Sequence, residues 1–296
     1  MKDKLVLFLA SERGFEVLKS IHKKYPSIIE AVYTAEDANV EKDFASEIRY
    51  YCAQNKVKCE LYNKDEAVVE KDSYIMAISW KNLINHPPEK LIILHDSLLP
   101  KYRGFSPLCN MLIKAERKIG VTAIFGEKEY DKGDIISQSS CNINYPIKIH
   151  AAIQKNIQNY IKCALEISEL IFKCSKITAS PQDDSIASYS VWRNDDDYKI
   201  DWQQPSSSIK RFIDAVGWPY RGARTSTSKG IDIIIDDAVE VPGKECELRH
   251  VGKVIYKDDD CPVVICGEGL LKIKKARFVS TDKSFLPLNA LRTKFY

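Results

Sequence analysis

The chain has 296 residues, 44 basic against 41 acidic, for a net charge of +3; that length suits two domains and a sizeable core, and the near balance of charge argues against a dedicated nucleic-acid binder. No apolar run approaches the roughly 20 residues of a membrane span, and there is no signal peptide. The nine cysteines form no CxxC pair and no His/Cys cluster of metal-ligand spacing, so no metal is expected and they read as reduced thiols of a soluble cytoplasmic protein.

Leu5 to Ala10 reads as a buried first strand. A turn at Ser11 to Gly14 leads to a helix with Phe15, Val17, Leu18 and Ile21 as its apolar stripe. Ile28 to Tyr33 is a second strand, followed by a short acidic loop, 34–43, with Glu36, Asp37, Glu41 and Asp43 against Lys42. A helix from about Lys42 to Gln54, a strand at Val57 to Leu61 and a fourth at Tyr74 to Ser79, ending at Trp80, complete a β-α-β alternation. That alternation predicts an open, mostly parallel sheet with helices on both faces. The first turn has one glycine and no phosphate-cradling G-x-G-x-x-G or Walker pattern, so no nicotinamide or ATP site is expected.

Leu91 to Leu94 is apolar on both faces, as a parallel-sheet strand should be, and delivers His95 at its C-terminal end, where open α/β sheets bind ligands. Ser97-Leu98-Leu99-Pro100 turns the chain into a basic loop with Lys101 and Arg103, then Gly104 and a helix-like run from Phe105 to Ala115. A strand from Gly120 to Phe125 leads to the acidic turn Glu129 to Asp134. One histidine and one or two aspartates thus fall at loop positions that two adjacent strands bring together. Singly, such a histidine is more commonly a packed residue, and Asp-Lys-Gly-Asp is a plain turn.

His150 to Lys173 reads as a long helix, and 176–200 as a linker rich in Ser, Asp and Pro. Ile200-Asp201-Trp202 then precedes a helix from about Ser207 to Val216. Strands at Ile231 to Val241, Gly252 to Tyr256, Pro262 to Cys266 and Leu270 to Phe278 fit a small β-barrel. The expected domains are therefore 1–175, catalytic, and 201–296, helix plus barrel.

His95, Ser97, Leu98, Leu99, Pro100, Arg103 and Gly104, then Gly120-Val121-Thr122, then Asp131 eleven positions after Gly120, together resemble the folate-dependent formyltransferase family, whose pattern is N-x-H-x-S-L-L-P-x-x-R-G, G-V-T and a downstream Asp. The resemblance is strong over 91–138 and looser after 190, where Trp218 to Ala223 is similar to the family's entry into its C-terminal domain. It implies a formyltransferase (Rossmann-like) fold followed by an OB-like barrel, and 10-formyltetrahydrofolate as formyl donor. By resemblance, His95 handles the proton and Asp131 orients its imidazole; Trp80, Asn82, Leu83, Ser97, Leu98, Leu99, Pro100 and Asp134 line the folate site. Asp96, Lys101, Arg103, Gly104, Trp192, Arg193 and Tyr220 are the candidates for the acceptor, with aromatics suited to a nucleotide-linked substrate.

Two departures separate the members of the family. The tRNA-formylating enzymes carry a longer basic insertion where this chain has its acidic 34–43 loop, which would repel phosphate. The resemblance therefore points to a nucleotide-linked amino sugar as acceptor, with methionyl-tRNA as the alternative and a homodimer as the expected assembly. The family's Asn, a donor to the oxyanion, is Ile93 here; loss of such a donor typically costs about 100- to 1000-fold in turnover. A catalytically weak or inactive folate-binding homologue is therefore the second alternative.

Overall fold

The computed structural model describes residues 3–38, 40–63 and 69–296; of the acidic 34–43 loop, Asn39 lies outside these. The chain divides into two compact units. Met1–Leu108, Arg117–Ile143 and Ala152–Trp192 form the first; Cys109–Glu116, Asn144–Ala151 and Arg193–Tyr296 form the second.

In chain order the elements up to residue 190 are β1 (Leu5–Leu9), α1 (Ser11–Lys24), β2 (Ile29–Thr34), α2 (Ala45–Gln54), β3 (Cys59–Leu61), β4 (Tyr74–Ile78), β5 (Leu91–His95), β6 (Arg103–Gly104), α3 (Pro107–Ile113), β7 (Lys118–Phe125), β8 (Ile135–Asn142), α4 (Ile149–Phe172) and β9 (Tyr189–Ser190). Seven of the strands make one sheet in the order β3-β2-β1-β4-β5-β7-β8. The first five run parallel, and β7 and β8 add on antiparallel, so the sheet is mostly parallel as expected.

The two-residue period of the strands sorts the core into two clusters. Leu5, Leu7, Leu9, Val32, Met76, Ile78, Ile92 and Leu94 pack against Val17, Leu18 and Ile21 of α1, Ile48 of α2 and Ala164, Ile167 and Ile171 of α4. The alternate residues Val6, Phe8, Ala31, Tyr33, Ile75, Ala77 and Leu91 form the other face, covered by Tyr62, Trp80 and Ile84. Each fully buried aliphatic side chain contributes about 1.5–3 kcal/mol. Ile93 and His95 follow Leu91 at intervals of two and so share this second face.

The second unit contains α5 (Ser206–Val216) and five antiparallel strands, β10 (Ala223–Ser226), β11 (Asp232–Val241), β12 (Val254–Asp258), β13 (Cys261–Ile265) and β14 (Leu270–Phe278), in the order β10-β11-β14-β13-β12. Ile209, Ile213 and Val216 of α5 pack on Ile233, Ile235, Leu271 and Ile273. The C-terminal residues close the sheet. Tyr296 exchanges backbone hydrogen bonds with Ser226 (2.9 and 3.4 Å), while the Phe295 N–H donates to the Gly252 carbonyl (2.8 Å) and the Val254 N–H to that of Thr293 (3.0 Å). One short segment thus satisfies both sheet edges. Phe295 is buried and stacks on Trp202 at 5.7 Å. Gly252, at φ 84, leaves room for this approach: a Cβ there would lie 2.2 Å from the Phe295 carbonyl oxygen.

Among the described residues no helix is long and apolar enough to cross a membrane, and no group of three His, Cys, Asp or Glu side chains could hold a metal ion.

Candidate active site at the end of the fifth strand

β5 is apolar and buried except at Ile93, which is half-buried. Its pairing with β7 sets His95 opposite Thr122. Thr122 then organises the turn that follows: its hydroxyl donates to the Ser97 carbonyl (2.7 Å) and accepts the Leu99 N–H (3.0 Å). Gln138 on β8 donates to both the Leu99 carbonyl and the Thr122 hydroxyl, each at 2.9 Å. Ser97 is fully buried and donates to the Lys101 carbonyl at 2.7 Å. Leu98 packs on Gly120, where a Cβ would fall 2.6 Å from its Cδ2 and 2.5 Å from the Ser139 carbonyl oxygen. The two sequence motifs are therefore one bonded unit.

His95 is 8% exposed. Its Nε2 lies 2.8 Å from the Tyr102 carbonyl oxygen and its Nδ1 3.4 Å from Asp131 Oδ1. Both neighbours are acceptors. Asp131 Oδ2 accepts the Gly104 N–H at 2.8 Å, so the carboxylate bridges the histidine and the loop after the turn. Gly104 sits at φ 96, and a Cβ there would lie 2.4 Å from the Ser190 carbonyl oxygen, where β6 pairs with β9. The acidic turn is as tightly specified: a Cβ on Gly133 would lie 1.8 Å from the Phe125 carbonyl oxygen.

Gln182 carried no signal in the sequence, falling in the stretch that reads as linker. Its amide donates to the carbonyls of Asp131 (2.8 Å) and Gly133 (2.7 Å), while its Oε1 accepts two N–H groups of Arg103 at 3.1 and 2.8 Å. Arg103 is 1% exposed, pairs with Asp184 at 2.7 Å and reaches the Tyr189 hydroxyl at 3.4 Å. Its guanidinium thus links Gln182, which holds the Asp131 loop, to Asp184 and Tyr189. Asp96, another candidate for acceptor contact, points to the opposite face from His95 and meets Arg13 at 2.8 Å and Asn156 at 2.6 Å.

Trp80 stands edge-on to Phe8 (5.1 Å) and Tyr62 (5.0 Å), and its buried indole nitrogen has no partner. Asn82, Leu83, Lys101 and Asp134 are exposed. Trp192, 61% exposed, ends the first unit. Arg193 and Tyr220 are engaged within the second: Arg193 donates to Asn110 Oδ1 at 2.6 Å, and Tyr220 packs against the core of that unit. In the 34–43 loop, Asp43 caps α2 by accepting the Ala45 N–H at 2.9 Å, and Asp37 pairs with Lys81.

A histidine beside a carboxylate thus stands at the C-terminal end of a central strand in an open α/β sheet, the place where such sheets bind ligands. Residues 26–159 match the formyl transferase family model, and residues 194–284 match that of the formyl transferase C-terminal domain. The chain belongs to the formyl transferase family. A methionyl-tRNA formyltransferase of Alkaliphilus oremlandii is 29% identical over 204 residues, 67% of this chain and 62% of that protein, so the chain spans under two thirds of that relative's length. Two crystal structures share the fold. The N-formyltransferase of Helicobacter canadensis, in complex with folinic acid and dTDP-3-aminofucose, superposes with a TM-score of 0.66 at 17% identity, over 92% of this chain and 98% of that one. WlaRD, a sugar 3N-formyl transferase in the presence of dTDP and 5-N-formyl-THF, gives 0.66 at 16% identity, over 95% and 99%.

Proposed function

We propose that this chain transfers a formyl group from 10-formyltetrahydrofolate to the primary amine of a nucleotide-linked amino sugar. The observation that carries formyl transfer is the His95–Asp131 pair, held by backbone on both sides within the motifs of this family. The amine nitrogen attacks the formyl carbon, the bond from that carbon to N10 of the donor breaks, and the amine loses a proton as N10 gains one. His95 is the group that moves this proton, and Asp131 fixes the ring and opposes the charge that it acquires. The buried Ser97-to-Pro100 turn and the Trp80-to-Ile84 segment are the walls offered to the pterin.

The choice of a sugar acceptor rests on the acidic 34–43 loop, which repels a tRNA backbone, and draws support from neighbours crystallised with amino-sugar nucleotide or dTDP. The competing acceptor, methionyl-tRNA, is favoured by the name of the curated relative. Tetrahydrofolate release, followed with a panel of amino-sugar nucleotides and with charged initiator tRNA, separates the two. Turnover with a sugar nucleotide that His95→Ala abolishes supports the proposal. Turnover with tRNA alone overturns the acceptor, and folate binding with no turnover overturns the activity.

A further inference from the structure

We propose that Arg13, Asp96 and Asn156 form a positioning cluster for His95, pinning the end of β5 and the start of the neighbouring β7 from the face opposite the reaction. Asp96 follows His95 directly, so the pleat turns its side chain to the side where α1 and α4 lie. There Arg13 of α1 meets Asp96 Oδ2 at 2.8 Å, and the Asn156 amide of α4 donates to Asp96 Oδ1 at 2.6 Å. The same amide nitrogen donates to the Gly120 carbonyl at 3.2 Å. Asn156 therefore ties the residue beside His95 to the strand that carries Thr122, the cross-strand partner of His95. The chain of bonds continues from Asn159 to Asn156 Oδ1 (2.8 Å) and from Ser139 to Asn159 (2.8 Å).

The cluster is costly, which argues that it does more than pack. Asn156 is fully buried, and the side chains of Arg13 and Asp96 are 8% and 15% exposed. Withdrawing such charges from water is unfavourable, and apolar residues in their place are often as stabilising or more so. Burial pushes the Asp96 carboxyl up from its ordinary range, while the Arg13 guanidinium and the Asn156 amide pull it back. What an apolar replacement lacks is direction: the ion pair and the forked amide allow the end of β5 one place and one orientation. A 1 Å displacement of a reacting group costs on the order of 100-fold in rate.

The test reads the imidazole ring itself and needs no acceptor, so a wrong assignment of the acceptor leaves it intact. The chain has five histidines, few enough for the ring nitrogen signals of His95 to be assigned by NMR through His95→Gln. Asp96→Asn, Arg13→Met, Asn156→Ala and the double variant Arg13→Met/Asp96→Asn are compared with the parent chain at one pH, with thermal unfolding in parallel. The expected result is that the His95 ring signals move or broaden in every folded variant while the signals of the other four histidines stay in place. With the acceptor in hand, turnover should fall by about 10- to 100-fold, with the KM for 10-formyltetrahydrofolate within about twofold. The double variant buries no charge, so it carries the test where a single substitution fails to fold. Unchanged His95 signals in folded variants, with only the unfolding midpoint lowered, would overturn the proposal and leave the cluster as a brace between helices and sheet.

Discussion

Replacing Asp131 with Asn removes one charge and little else, which makes it the sharpest probe of the site. The carboxylate lies 3.4 Å from His95 Nδ1, and its other oxygen accepts the Gly104 N–H at 2.8 Å. An amide oxygen can keep the second bond, so the loop should hold its place and the unfolding midpoint should change by no more than a few degrees. The loss falls on the imidazolium. Two unit charges 3.4 Å apart at an effective dielectric of about 20 attract by about 5 kcal/mol; the amide dipole restores part of this, leaving about 3–4 kcal/mol. If the transition state carries the proton on His95, turnover drops by about 100- to 1000-fold. Tetrahydrofolate release in steady state and in a single turnover would measure that drop, with donor affinity measured separately. A turnover within threefold of the parent chain, with the fold intact, would refute an imidazolium held by Asp131 in the rate-limiting step.

Ile93→Asn should lower stability by about 2–4 kcal/mol, because it places an amide on a strand between Ala77 and Ile124, yet raise turnover at least tenfold by supplying an oxyanion donor; denaturant titration and the same release assay check both halves. Arg103→Met should destabilise the chain by about 1–3 kcal/mol, since it leaves the Gln182 oxygen without its two donors, and limited proteolysis should then cut near residue 182. Arg103→Lys should not rescue it, for an ammonium cannot reproduce the fork. Burial raises the Cys163 thiol to about 11 from an ordinary value of 9.0. The folded chain therefore holds this proton more tightly than the unfolded one, so stability is full below pH 9 and falls by up to about 3 kcal/mol as pH rises to 11. Cys163→Ala should make that alkaline limb shallower in denaturant titrations at stepped pH, the buried Cys266 thiol supplying part of what remains.

The strand that carries His95 was legible because its signal is local. Leu91 to Leu94 are apolar on both faces, His95 ends the run, and Asp131 stands at a fixed spacing from Gly120. Strand direction is not written in such patterns: nothing in Gly120 to Phe125 says that β7 runs against β5. The fate of the polar residues was hidden for a different reason, since a partner far along the chain decides it. Arg103 sits in a basic loop and reads as an acceptor candidate, while its bonds to Gln182 and Asp184, some 80 residues on, have no local signature. Asn156 and Asn159 are two amides one turn apart on the buried side of an amphipathic helix. Thr293 to Tyr296 left no trace, because their backbone does the work.

That last segment makes the second unit a ring with a single clasp. Two edge strands that would otherwise present open rows of amides and carbonyls are both satisfied by the same few residues. Release of the clasp, by truncation or by Phe295→Asp, would bare both edges together and strip the cover from Trp202. The penalty would then appear less as a graded loss of stability than as a change of state, because open edges pair with those of neighbouring molecules. Such a variant would be lost to aggregates with His95 and Asp131 untouched.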